Sequence, residues 1–323
     1  MRALLITSLD GPDGLALAEI PDPSDPGMVA INVHAAGVSF ADLLLTQGRY
    51  QVRPPLPFTP GFEVAGTVRS APPGSGLEPG LRVVAQVPFG GFAQVALADA
   101  ARTMPIPDDL AFLPAGGFVV NYQTALFALQ RRARLRDGEI VLVHGAGGGL
   151  GDATVQVART LGGNVVAVAS TDEKRQAARR SGAELVLGTD QDWRAAVLDH
   201  TGGRGADVIV DPVGGERFDQ SLRCLAPEGR LLAVGFAAGR IPSAPANRLL
   251  LRNSGVLGAA WREFLDVDPG YFRAAGKTLS GMLRRGMIDP GVGHWYPLER
   301  GADALRDLQQ RRATGKLVLQ TDY

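Results

Sequence analysis

The stretch Gly145-Ala146-Gly147-Gly148-Gly149-Leu150-Gly151 limits what this chain can fold into more than any other. It follows an apolar run, Ile140-Val141-Leu142-Val143-His144. Leu150, Ala153, Thr154, Val157, Ala158 and Leu161 then recur with the spacing of one helix face. Gly145, Gly148 and Gly151 have GxxGxxG spacing, and the consecutive Gly147, Gly148 and Gly149 let backbone N–H groups approach a pyrophosphate at a helix N-terminus. Strand, glycine turn and helix in this order predict a dinucleotide-binding unit, with a tight turn that only packs helix on sheet as the alternative. The first candidate cofactor contacts are therefore Gly145, Gly147, Gly148, Gly149, Leu150 and Gly151.

The next apolar run bears on which dinucleotide. An NAD site usually places an acid at the end of its second strand to accept from the ribose 2′-OH. Here Val165–Ala169 ends at Ser170-Thr171, with Lys174 one turn later. A small hydroxyl and a lysine suit a 2′-phosphate, so Ser170 and Lys174 point to NADPH. Asp172 complicates this unless it serves the helix dipole, with Ser170 and Glu173 forming a capping box.

From Ile140 to Val234, apolar runs alternate with helical stretches of about ten residues, the pattern of a doubly wound parallel sheet. Residues 1–115 differ, consisting of short extended runs broken by Gly and Pro. Val29, Ile31 and Val33 alternate with Ala30, Asn32 and His34 as in a half-buried strand. The 42 Gly and 22 Pro follow no period, which indicates many turns rather than a fibre. A helix over Asn121–Ala133 links the two regions. The tail after Leu257, with helices over 271–285 and 299–310 and extended pieces at 294–297 and 316–320, completes the first domain. The expected fold is α/β, a β-rich domain plus a doubly wound sheet.

Composition excludes several classes. The 33 basic and 33 acidic residues cancel, so no global field attracts nucleic acid. The lone Cys224 rules out an internal disulfide and any zinc site needing two thiolates, and suits a reducing, cytoplasmic setting. No stretch approaches a membrane span, and the opening apolar run is too short for a signal-peptide core. Only three of the basic residues are lysines, which singles out Lys174, Lys277 and Lys316 for inspection.

Further motifs carry a resemblance. Gly37-Val38-Ser39-Phe40-Ala41-Asp42, Gly48-Arg49-Tyr50, Pro60-Gly61-Phe62-Glu63-Val64-Ala65-Gly66, Thr124-Ala125, the 145–151 loop, Asp207–Gly215, Gly229–Gly235 and Thr314-Gly315-Lys316 follow in order along nearly the whole chain. Together they resemble the zinc-independent NADPH:quinone oxidoreductase branch of the medium-chain dehydrogenase/reductase superfamily. The resemblance implies a GroES-like catalytic domain from residues 1–117 and 264–323, a Rossmann domain over 118–263, a cleft holding the nicotinamide, and homodimers. It adds Ser39, Thr124, Gly235 and Phe236 to the cofactor contacts. Two catalytic candidates carry over, each with a structural alternative. Tyr50 stacks on a substrate ring or donates its O–H, or else is a core aromatic; Asp42 lies near the nicotinamide, or else caps a helix. Tyr122 is expected to pack.

Zinc members of the superfamily place a histidine in Gly-His-Glu, where this chain has Phe62, and the cysteine-rich structural-zinc lobe is missing. His34, His144, His200 and His294 lack ligand spacing, so no metal is expected. Without one, the acceptor has to be electrophilic, a quinone or an α,β-unsaturated carbonyl. Leu44 and Thr46, where some relatives carry Tyr and Arg, imply a more apolar pocket. Asp152 is expected to weaken the cofactor site or to point into solvent. Quinone reduction leads, reduction of an enoyl thioester or similar double bond is the alternative, and an NADPH-binding protein with little turnover is a third.

Overall fold

The computed structural model describes residues 1–322. The chain divides into two compact units, one made of Met1–Val120, Pro269–Ser280 and the chain from Pro290 onward, the other of Asn121–Asp268 and Gly281–Asp289. The division differs from the expected 118–263 boundary chiefly at 281–289, which joins the second unit.

The first unit opens with β1 (Arg2–Ile6), β2 (Leu15–Glu19), β3 (Val29–Val38), α1 (Phe40–Thr46), β4 (Glu63–Ser70), β5 (Arg82–Gln86), β6 (Val95–Ala98), β7 (Thr103–Pro105) and α2 (Phe112–Gly116). A helix α3 (Val119–Leu126) follows and continues as a π-helix over Phe127–Ala133, so the expected linker helix is real but changes its winding midway.

The second unit contains β8 (Ile140–His144), α4 (Gly149–Thr160), β9 (Asn164–Ala169), α5 (Asp172–Arg180), β10 (Leu185–Gly188), α6 (Trp193–His200), β11 (Ala206–Asp211), α7 (Glu216–Ser221), β12 (Leu225–Ala233), α8 (Ala246–Arg252), β13 (Gly255–Gly258) and α9 (Trp261–Val267). The chain ends with α10 (Tyr271–Arg284), β14 (His294–Pro297), α11 (Gly301–Gln309) and β15 (Leu317–Gln320). Among the described residues, no helix is long and apolar enough to cross a membrane.

In the first unit the sheet order is β14-β15-β3-β4-β5-β7, with β6 also on β3 and β1-β2 as a separate ribbon. The tail strand β15 lies antiparallel to β3, pairing Leu317 with Val38 and Leu319 with Ala36. Val29, Ile31 and Val33 are fully buried, and with Val83, Phe92 and Leu319 they belong to the core that the period-2 pattern predicts.

In the second unit β10-β9-β8-β11-β12-β13 form one parallel sheet. The first strand, β8, is central. The chain moves outward from it to β10 and returns on its other side at β11, which creates a topological switch point at the C-terminal ends of β8 and β11. Leu142, Val166, Ile209 and Leu231 alternate from neighbouring strands into a core closed by Trp193 and Phe218. The segment 237–252 contains helix α8, whose Leu250 and Leu251 are 75% and 82% exposed.

Candidate functional site

Within the second unit, candidate cofactor contacts collect at the C-terminal ends of β8, β9 and β12. Gly145 leaves β8 with φ of 64°, and Gly148 is the N-cap of α4, offering no side-chain cap. The first-turn N–H groups of Gly149, Leu150 and Gly151 have no intrahelical acceptor, and their positive end of the helix dipole is suited to an anion. The close packing here depends on missing side chains. A Cβ at Gly151 would lie 2.6 Å from Ala146 Cα, and one at Gly147 would lie 2.8 Å from Lys174 Cα. The glycine loop and the first turn of α5 are thus pressed together, a cradle that a Cβ would fill.

Ser170 lies at the end of β9 as expected, but it does not cap α5. Thr171 is the N-cap and its Oγ1 accepts from the Lys174 N–H at 3.3 Å, which corrects the Ser170–Glu173 capping box. Asp172 is exposed and paired with Arg175 at 2.6 Å, so its charge is balanced within its own turn. The turn after β11 and the loop after β12 are laced together: Ala237 N–H donates to Pro212 O at 3.1 Å and Ala238 N–H to Val213 O at 2.8 Å. Gly235 lies in this loop against Pro212, and Phe236 is 39% exposed. Thr124, on α3, is 9% exposed.

Asp152 does not point freely into solvent. Its carboxylate accepts from Gln156 Nε2 at 3.1 Å and from the Ser181 hydroxyl, so it binds α4 to the end of α5. Burial raises its pKa, and the Ser181 and Gln156 hydrogen bonds oppose that shift. Gln156 also clasps the backbone of Asp289, accepting its N–H at 2.7 Å and donating to its carbonyl at 3.0 Å. Tyr122 O–H donates to the same carbonyl at 3.1 Å, which fits the packing role expected for it. His144 is fully buried, its Nε2 2.8 Å from Ser221 Oγ and its ring edge-on to Trp193. Burial depresses its pKa to about 3, so the ring is neutral.

In the first unit Ser39 and Asp42 form a complete capping box at the start of α1. Ser39 N–H and Oγ–H donate to Asp42 Oδ2 at 2.8 and 2.6 Å, and Gly61 N–H donates to Oδ1 at 3.0 Å. Asp42 is 0% exposed, and burial raises its pKa to about 6 against the pull of these donors. The capping reading of Asp42 is seen, and its carboxylate fixes Ser39 and Gly61. Tyr50 is half-buried, its ring 5.3 Å from that of Phe62 and packed on a small core of Ile6, Leu45, Phe58 and Phe62.

Sequence reasoning missed one feature of this region, a buried ion pair. Lys316 Nζ donates to Glu63 Oε1, with side chains 6% and 1% exposed, and Glu63 Oε2 accepts the Val120 N–H at 2.9 Å. Glu63 therefore holds together the tail, β4 and the start of α3. The signal available in the sequence was the rarity of lysine. The donor set does not suit zinc. Phe62 is apolar, Glu63 is spent on Lys316, Asp42 on backbone and Ser39, and Cys224 is fully buried with its thiol pushed up to about 12. Among the described residues no three His, Cys, Asp or Glu side chains gather as ligands.

Residues 25–108 match the family described as alcohol dehydrogenase GroES-like domain, and residues 149–279 the family described as zinc-binding dehydrogenase. The chain is 39% identical to quinone oxidoreductase-like protein 2 of Bos taurus, over 98% of this chain and 92% of that protein. A probable oxidoreductase from Mycobacterium abscessus superposes with a TM-score of 0.91 at 40% identity, covering 99% of this chain and 98% of the other. A mycobacterial protein complexed with NADPH superposes with a TM-score of 0.92 at 31% identity, covering 99% and 100%.

Proposed function

The chain belongs to the medium-chain dehydrogenase/reductase superfamily, among its quinone oxidoreductase-like members, and from that membership we propose that it is an NADPH-dependent reductase whose acceptor is a quinone. The observation that carries the cofactor half is the contact of Lys174 with Gly147, which sets a lysine against the glycine loop at the end of the second strand. The first-turn N–H groups of Gly149, Leu150 and Gly151 hold the pyrophosphate, and Ser170 and Lys174 take the 2′-phosphate. Arg175 pairs with Asp172, which leaves the exposed Glu173 as the other carboxylate of that turn. Ser39, Thr124, Gly235 and Phe236 are assigned to the remainder of the cofactor.

Bound there, NADPH supplies a hydride and becomes NADP⁺ as quinone plus one proton becomes hydroquinone. Tyr50 orients the acceptor ring by stacking or by donating its O–H, while Asp42 fixes Ser39 and Gly61. Because the zinc donor set is not present, hydrogen bonding and the acceptor's own electrophilicity replace a Lewis acid. The named relative and the apolar Phe62 against the Tyr50 ring support the quinone assignment. A cytoplasmic location and pairing into homodimers belong to the same proposal. They are supported by the single buried Cys224 and by the edge strand β13, beside which α8 exposes Leu250 and Leu251.

The test is anaerobic NADPH consumption by the purified protein, with a neutral aromatic quinone and a short enoyl-CoA run side by side. Faster turnover of the quinone, with the enoyl-CoA near background, is expected. The reverse order overturns the quinone assignment and moves the protein to the double-bond reductases. Protected NADPH fluorescence with no consumption by any acceptor would make it a binding protein.

A further inference from the structure

The turn after β9 and the turn after β10 meet at one guanidinium. Arg175 Nη2 and Nε donate to Asp172 Oδ1 at 2.6 and 3.2 Å, while Nη1 lies 3.6 Å from Asp190 Oδ1 and 3.5 Å from the carbonyl oxygen of Ser170. The Arg175 side chain is 18% exposed, whereas those of Asp172 and Asp190 are 88% and 75% exposed. Gly188 makes room for it. This last residue of β10 is the register partner of Ala169 on β9, and a Cβ there would overlap Asp190 Oδ1 and stand 2.9 Å from Arg175 Nη1. Arg175 therefore lies across the C-terminal ends of β9 and β10, against the backbone of Ser170. Its planar fork serves two carboxylates from separate turns, which a lysine ammonium could not do in the same geometry.

The charges around Ser170 make that sharing consequential. Lys174 and Arg175 stand among Asp172, Glu173 and Asp190, so without Arg175 one lysine faces three carboxylates. Such an arrangement repels a phosphate. Asp172 also stands about twenty residues beyond the glycine loop, the spacing at which an NAD site places its ribose-binding acid.

We propose that Arg175 is a positioning residue that sets the preference for NADPH over NADH by holding the carboxylates of Asp172 and Asp190 on its guanidinium. The inference rests on the assignment of Ser170 and Lys174 to the 2′-phosphate and deepens it. Held in this way, the two acids do not repel the phosphate, and Asp172 does not offer itself to the 2′-OH of NADH. Released, they do both. Arg175 acts through the two acids and not by touching the cofactor, which separates its role from that of Lys174. Glu173 is exposed and stays in every variant below, so its charge cancels from the comparison.

The experiment measures equilibrium binding of NADPH and of NADH to the full chain by isothermal titration, with no acceptor present. It compares the natural chain, Arg175→Ala, the double variant Asp172→Asn with Asp190→Asn, and the triple variant that combines them. In Arg175→Ala the Kd for NADPH should rise at least about tenfold, while that for NADH stays level or falls. In the triple variant NADPH affinity should return to within about twofold of the double variant. A triple variant that keeps the tenfold loss overturns the proposal, because Arg175 would then meet the phosphate itself. An unchanged ratio of the two Kd values in Arg175→Ala overturns it too, as does equal weakening of both cofactors, the mark of a purely structural role. Gly188→Ala, which crowds the guanidinium and Asp190 while leaving every charge in place, should shift the ratio in the same direction, and an unshifted ratio there counts against the proposal. Lys174→Ala run alongside separates the two readings. An unchanged ratio in Lys174→Ala sinks the 2′-phosphate assignment and this inference with it, whereas a ratio lowered there but not in Arg175→Ala sinks the role of Arg175 alone.

Discussion

At the scale of single residues, Asp42 shows how one carboxylate can be tied up entirely in local structure. It accepts from Ser39 twice and from Gly61 while being fully buried. Its pKa is raised to about 6 from an ordinary value of 3.8, so the native state binds the proton more tightly than the unfolded chain. Its contribution to stability is therefore fully present below pH 3.8 and is lost as pH rises through about 6. Asp42→Asn removes that titration and loses one accepted hydrogen bond. Urea melts from pH 4 to 7 should show the natural chain gaining stability relative to the variant on acidification; parallel curves would contradict the assignment. Lys174 is expected to act on cofactor choice. Lys174→Ala should reduce the ratio of NADPH to NADH efficiency by roughly tenfold or more, since a charge-assisted hydrogen bond to phosphate contributes about 1.5–3 kcal/mol. Steady-state kinetics with both cofactors would measure it, and an unchanged ratio would remove Lys174 from the 2′-phosphate site. Both residues were legible in the sequence by type and position. That Thr171 rather than Ser170 caps α5 was not, because either hydroxyl fits the pattern and only the backbone angles choose.

At the scale of elements, the unit β8–loop–α4 was readable almost to the residue, because its signals are local: an apolar run, a glycine turn and a 3.6-residue period. Helix α4 begins at Gly149, one residue before Leu150, the first position of the periodic face. Gly151 is where that junction is tightest, so Gly151→Ala, with its Cβ 2.6 Å from Ala146 Cα, should push the loop from α4. Isothermal titration should show NADPH affinity falling about tenfold or more, accompanied by a lower melting temperature; unchanged affinity would mean that the first-turn N–H groups do not hold the pyrophosphate. Asp152 illustrates the limit of such reading. On the sequence it is an acid beside a phosphate loop, and its partner Ser181 lies 29 residues on, at the end of another helix. Helix α8 escaped notice because Leu249, Leu250 and Leu251 run consecutively and show no amphipathic period.

At the scale of the whole molecule, β13 ends the six-stranded sheet with an open edge, and Leu250 and Leu251 stand exposed nearby on α8. If copies pair along that edge, light scattering will give twice the chain mass, and Leu250→Asp with Leu251→Asp will give a monomer that still binds NADPH. A monomeric natural chain would refute the pairing. The sequence alone determined the parallel sheet and the glycine turn that opens α4, because each depends on residue types and short-range order. Phe62 cannot ligate a metal, and one cysteine cannot form a thiolate cluster, whatever the fold. Tertiary structure alone decided the rest. Lys316 meets Glu63 across 253 residues of chain, and Lys174 lies against Gly147 because parallel strands β8 and β9 align their ends. No local pattern encodes such partners, since a buried charge becomes tolerable only when packing delivers its counter-ion.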